Sequence, residues 1–148
     1  MNTRPEVVAE VRRWVQKAEN DFRNAEYVLT LKEDCPFDTV SYHCQQCVEK
    51  YLKALLILRN VDFPRTHDLV ILFNLLKDVE TLPLQVEEVQ PLNRYSIESR
   101  YPGDWEPIEE SEARSAFEMV RNIRRVIRPL LESAAVKKGG MNFPTAMT

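Results

Sequence analysis

Two histidines occur in 148 residues, and both stand among side chains that can handle an anion. His43, Gln46, Lys50 and Lys53 recur at intervals of three and four. On an α-helix, at about 100° per residue, they fall within one sector of about 80°. Such a column offers an imidazole, an amide and two ammonium groups, a reasonable lining for a phosphate and a base. Lysine and glutamine are also ordinary residues of a solvated face or a polar seam, so the spacing leaves both readings open.

His67 follows Thr66 and precedes Asp68, whose carboxylate suits the positive end of a helix. A local hydrogen-bonding role is the simplest one for His67; a functional role would turn its ring into a cleft shared with a later loop. That loop carries Arg100-Tyr101-Pro102 and Gly103. Loops on a rigid scaffold carry much of binding. A guanidinium and a phenol can clamp a phosphate and stack on a base. A loop anchor fits the residues equally well, with Arg100 on carbonyls or a carboxylate and Tyr101 packed on the scaffold. The candidate catalytic groups are therefore His43, His67 and Arg100. The candidate ligand contacts are His43, Gln46, Lys50, Lys53, His67, Arg100 and Tyr101. Acting together, they must converge on one polar cleft.

Other patterns carry less. Arg121, Arg124, Arg125 and Arg128 form a basic strip, usable against RNA phosphates or paired with acidic neighbours such as those of Glu106–Glu112. Cys44 and Cys47 have the spacing of half a zinc site, but a structural site needs four ligands. His43 and Cys35 are the only nearby additions. Both thiols also lie on an apolar stripe, where they act as small hydrophobes, so no metal is expected. No phosphate-cradling glycine loop, Ser-His-Asp order or carboxylate cluster appears, and no cofactor is expected.

The elements that must position these residues read as helices. Val7, Val8, Val11, Trp14, Val15, Ala18, Phe22, Ala25, Val28 and Leu29 recur with helical period, with Thr3 able to cap and Pro5 suited to the first turn. A second helix is predicted over 37–59, with the stripe Val40, Cys44, Cys47, Val48, Tyr51 and Leu55 and a stop at Asn60. A third begins near His67 and runs to about Val79. Pro83 opens a short fourth segment that Pro91 must kink or end. Residues 96–108 read as one long loop. A last helix spans about 109–131 on Ala113, Ala116, Phe117, Val120, Ile123, Ile127 and Leu130. With three glycines in the chain, the turns of a sheet lack their usual residue, which favours helices; the expectation is an all-α, antiparallel up-and-down bundle of four to five helices. The bundle should occupy residues 1–132, with 133–148 a flexible tail.

Net charge is −3, which argues against indiscriminate coating of nucleic acid. Residues 61–112 hold four basic and twelve acidic side chains, and residues 113–148 hold seven and two. That split marks either compensation within the fold or a local anion site. No apolar run reaches the roughly 20 residues of a membrane span. No secretory signal opens the chain, and three cysteines fit reduced thiols, so a cytoplasmic protein is expected.

Four segments together resemble the HEPN family. The first joins Trp14, Ala18, Asp21 and Ala25. The second joins His43, Gln46, Glu49, Lys50, Lys53, Ala54 and Leu55. The third is Arg65-Thr66-His67-Asp68-Leu69, and the fourth Ser99-Arg100-Tyr101-Pro102. In this order they cover roughly residues 10–131. The resemblance implies a homodimeric helical bundle engaged with RNA or nucleotides. It also implies two routes: a toxin-like module paired with a minimal nucleotidyltransferase, or a metal-independent ribonuclease with an Arg-x4–6-His motif. The sequence departs from that motif, because the nearest arginines are Arg59, eight before His67, and Arg65, two before it. A toxin-like RNA- or nucleotide-binding module is therefore the first expectation. A ribonuclease with an atypical His/Arg site and a purely structural dimerisation module are the alternatives.

Overall fold

A computed structural model of the chain describes residues 4–96 and 106–139, with side chains as far as Glu132 on the last helix. It contains four α-helices and no strand among the described residues: α1 (Pro5–Val28), α2 (Phe37–Leu58), α3 (Leu69–Lys77) and α4 (Glu110–Gly139). The expected all-α bundle is what forms. Between α3 and α4, Val86–Glu88 and Gln90–Tyr95 make two 3₁₀ turns. They take the place of the predicted fourth segment, with Pro91 in the first turn of the second, where its missing N–H costs nothing.

The helices begin and end where local chemistry dictates. Pro5 opens α1, but the cap position falls on Arg4, without a side-chain cap bond; Thr3, the expected cap, lies outside the described residues. At the end of α2, Asn60 adopts a left-handed conformation with φ of 59°. Its N–H bonds the carbonyl of Ile57, and that of Val61 bonds Leu56, the paired bonds that satisfy a helix C-terminus. The third helix starts at Leu69, two residues later than predicted. Asp68 is its cap, accepting from the Val70 N–H at 2.9 Å, which leaves His67 just outside the helix. The last helix runs to Gly139, past the predicted end near Leu131, and contains Pro129.

α1 runs antiparallel to both α2 and α4. Along α1 and α2, Glu19 faces Tyr51, Asp21 faces His43 and Lys50, and the Cys35 thiol donates to the Val28 carbonyl. Between α1 and α4, Glu19 meets Arg124 and Arg128, while Arg114 reaches the Leu29 carbonyl. The apolar stripes close on one another as predicted, with Val11, Val15, Ala18, Val40, Cys44, Cys47, Tyr51, Ile123 and Ile127 fully buried. On α4 the stripe continues to Leu131 rather than Leu130. Phe22 and Phe117 stack at 5.1 Å between centroids. α2 is the central element, packed on α1, α3, α4 and the second 3₁₀ turn. It buries Ser41, Gln45, Glu49 and Lys53 as well as its apolar face.

An ionic cluster crosses the core. The Glu19 carboxylate, 2% exposed, accepts from Arg124 Nε at 2.8 Å, Arg124 Nη2 at 2.7 Å, Arg128 Nη1 at 3.1 Å and the Tyr51 hydroxyl. Those bonds hold the Arg124 guanidinium above its ordinary pKa, against the opposing effect of burial. The predicted basic strip is thus divided. Arg124 and Arg128 turn inward, Arg124 also covering the Phe22 ring at 4.4 Å, while Arg121 pairs with Glu118 on the surface. Their acidic partner is Glu19 on α1 rather than the Glu106–Glu112 stretch.

Candidate functional site

Two carboxylates organise the polar face shared by α1, α2 and the start of α3. Asp21, almost wholly buried on α1, lies 2.7 Å from His43 Nδ1 through Oδ1 and accepts from Lys50 Nζ at 2.5 Å through Oδ2. Both partners come from α2, seven residues apart, nearly two helical turns. Glu49, itself on α2 and 3% exposed, lies 2.8 Å from His67 Nδ1 and accepts from Lys53 Nζ at 3.0 Å. The two arrangements are alike: one carboxylate, one imidazole, one ammonium.

Several bonds fix the His67 backbone. Gln45 Nε2 donates to its carbonyl at 3.1 Å. The Asp68 N–H bonds Thr66 Oγ1, and Asn93 bridges the Leu69 N–H and the Asp68 carboxylate. The ring is thereby delivered to Glu49. Since an ionised carboxylate only accepts, Nδ1 of each imidazole donates to its carboxylate. The ring of His43 is 26% exposed and that of His67 38%, so both reach solvent while their carboxylates do not. With both rings neutral, Asp21 and Glu49 cancel Lys50 and Lys53.

The candidate residues separate into three groups. His43, Gln46 and Lys50 form the predicted column, half-buried, with Lys50 20% exposed. His67 joins them through Glu49, not through its own helix. Lys53 does not present its ammonium to solvent: it is buried between the Trp14 and Phe63 rings, at 5.6 and 5.8 Å from their centroids, and serves Glu49. Arg100 and Tyr101 lie outside the described residues. On either side of them, Tyr95 donates to Glu112 at 2.6 Å, Arg94 pairs with the same carboxylate, and Ile108 is buried. Hollows between the α1–α2 turn and the start of α4, lined by Cys35, Phe37 and Glu110 among others, contain none of the candidate residues.

Sequence reasoning passed over Asp21, Glu49 and Gln45 as site residues, though the signal was present. Asp21 stands three after Ala18 and four before Ala25, on the buried face; an acid there needs a partner across the interface. Gln45 and Glu49 share a face with Leu52 and Leu56 for the same reason. The thiols of Cys44 and Cys47 are fully buried, as the stripe implied. Burial pushes Cys44 up to about 12 and Cys47 well above its ordinary value, so both stay as neutral thiols.

The model of the HEPN domain matches residues 11–130. The chain belongs to the HEPN family. This HEPN domain is 29% identical over 138 residues to a candidate toxin of Methanocaldococcus jannaschii, an alignment covering 85% of this chain and 89% of that protein. It also matches the crystal structure of an archaeal HEPN homologue with a TM-score of 0.62 and 21% identity, over 82% of this chain and 97% of the other. At that identity the likeness concerns the fold alone. Among the described residues, no helix of the HEPN chain is long and apolar enough to cross a membrane.

Proposed function

We propose that this HEPN domain is a toxin-type module that engages RNA or a nucleotide at the face built on His43, Gln46, Lys50 and His67. The observation that carries the reading is the pair of part-exposed imidazoles, each tied at 2.7–2.8 Å to a buried carboxylate, with Lys50 beside one of them. Two oriented imidazoles with an ammonium beside one of them suit a phosphate ligand. Likeness to a candidate toxin supports the toxin part of the reading. Arg100 and Tyr101 complete the proposed ligand set as clamp and stacking surface, and Lys53 acts through Glu49. The module works in the cytoplasm as a homodimer, restrained by a partner protein, a minimal nucleotidyltransferase.

Fluorescence anisotropy with single-stranded RNA and with nucleotides tests the binding. Wild type should bind, and His43→Ala or Lys50→Ala should weaken binding while the fold persists by circular dichroism. Unchanged affinity in both variants refutes the site. Light scattering that finds only a 17.3 kDa species refutes the dimer. Growth arrest on expression, relieved by a co-expressed nucleotidyltransferase, tests the pairing.

The carboxylate-tethered imidazoles also favour a second reading, a metal-independent ribonuclease. One Nε2 would take the ribose 2′-hydroxyl proton as that oxygen attacks phosphorus, and an imidazolium would return a proton to the departing 5′-oxygen. The products would be a 2′,3′-cyclic phosphate and a 5′-hydroxyl. RNA left intact by wild type in EDTA, under conditions where it binds, rules this out.

A further inference from the structure

Gln45 is fully buried in α2, and its amide has one satisfactory orientation. Nε2 lies 3.1 Å from Glu49 Oε1 and 3.1 Å from the His67 carbonyl oxygen. A carbonyl can only accept, as does an ionised carboxylate. The nitrogen end must therefore face these two, and the oxygen end faces away. There it meets the amide of Gln46 at 2.6 Å. An amide oxygen cannot receive another amide oxygen, so Gln46 must present Nε2 to it. One amide thus dictates the next, and neither can be flipped without setting acceptor against acceptor.

The consequence appears at the surface of the column. Gln46 is half-buried, and its Oε1 takes no bond from the described residues. His43 precedes it by three positions and Lys50 follows by four, about 4.5 and 6 Å along the helix axis. The fixed carbonyl oxygen thus belongs to a helix position that lies between those of an imidazole and an ammonium. Phosphate oxygens, themselves acceptors, avoid that point; an N–H or O–H donor does not.

We propose that Gln46 is a specificity-determining residue. Its carbonyl, held outward by Gln45, accepts a hydrogen bond from a donor on the nucleotide whose phosphate rests on Lys50. In RNA the donors are the ribose 2′-hydroxyl, the exocyclic amino groups of adenine, cytosine and guanine, and the ring N–H of guanine and uracil; uracil has no amino group. Gln45 is the positioning residue. The proposal rests on the column's being a nucleotide site and adds what that site selects.

The experiment uses the full chain with labelled oligo(rA), oligo(rU) and oligo(dA) in fluorescence anisotropy. Gln45→Met keeps the length and packing of the side chain but frees the Gln46 amide to flip, and Gln46→Met removes it at a position more tolerant of change. Wild type is expected to prefer oligo(rA) about threefold to tenfold, the worth of one hydrogen bond. A preference over oligo(rU) identifies the adenine amino group as against the uracil ring N–H, and one over oligo(dA) identifies the 2′-hydroxyl. In both variants the preference should vanish. A preference that survives in both variants, or a wild type that binds all three strands alike, overturns the proposal and leaves the phosphate site standing. A wild type that binds none of them overturns the nucleotide reading itself. Nitrogen-15 NMR of the Gln46 side-chain amide supplies an arm free of ligand. Restricted motion in wild type and rotational averaging in Gln45→Met support the relay; equal averaging in both sinks it.

Discussion

Replacing Glu19 with glutamine tests the ionic cluster in the core, because it alters charge and leaves shape nearly unchanged. The carboxylate receives three guanidinium N–H bonds of 2.7–3.1 Å and the Tyr51 hydroxyl. Glutamine offers one oxygen, and its NH₂ end sets a donor against a guanidinium donor. Arg124, its side chain 10% exposed, has no other acceptor within bonding distance among the described residues. Arg128 keeps Glu132 at 3.1 Å. Breaking a buried ion pair on one side costs about 3–5 kcal/mol, and the Glu132 bond sets Glu19→Gln toward the lower end, about 3 kcal/mol. For a chain of this size that is a fall of roughly 6–12 °C in melting temperature. Thermal unfolding followed by circular dichroism reads it. Exchanging all three charges for apolar residues of similar volume (Glu19→Met, Arg124→Met and Arg128→Leu) should recover most of the loss. A Glu19→Gln protein melting within about 2 °C of wild type would show that the cluster is not desolvated as described.

Asp21→Asn should weaken RNA binding about tenfold to a hundredfold by releasing both His43 and Lys50, with a small change in melting temperature because both partners can turn to water; anisotropy and calorimetry together check this. Asp68→Ala removes the cap of α3 and a bond to Asn93, and should cost about 1 kcal/mol in urea unfolding. Cys44 is raised from an ordinary 9.0 to about 12. A raised folded pKa means that the neutral thiol's contribution is full below pH 9 and is lost as pH climbs toward 12. Stability measured across that window should therefore fall with rising pH, and less steeply in Cys44→Ala; equal slopes would contradict the assignment. Thiol reagents at pH 8 should label Cys35, the one cysteine with solvent exposure, well before the other two.

The fold was legible because its helices carry their own punctuation. Pro5, Asn60 and Asp68 mark boundaries through backbone chemistry that acts within a few residues, and the apolar stripes need only the helical period. The 3₁₀ turns were less legible, since Pro91 and the spacing of Val86, Val89 and Leu92 fit a kinked helix as well as two tight turns. The column of His43, Gln46 and Lys50 followed from periodicity on one helix. What organises it did not, because Asp21 comes from another helix, and a periodic pattern cannot name a partner 22 positions away. Lys53 shows the opposite limit. It shares the column's sector, yet Trp14 and Phe63, from two other segments, enclose it. Arg124 and Arg128 were readable as a pair but not as an inward-facing one, since Glu19 lies more than a hundred positions away.

The central position of α2 also governs which changes of length the chain can absorb. One residue inserted between Cys44 and Gln45 would turn everything before it by about 100° against everything after it. His43 and Lys50 could no longer share Asp21, and Cys44 would leave the core while Tyr51 stayed. No local adjustment repairs this, because α2 is packed against helices on several sides. The stretch from Thr81 to Pro83, ahead of the buried Leu84, is under no such constraint: Thr81 and Pro83 are exposed, and an added residue there costs only a little chain entropy. Lineages of this domain should therefore vary in length between its helices and, within α2, change by substitution alone.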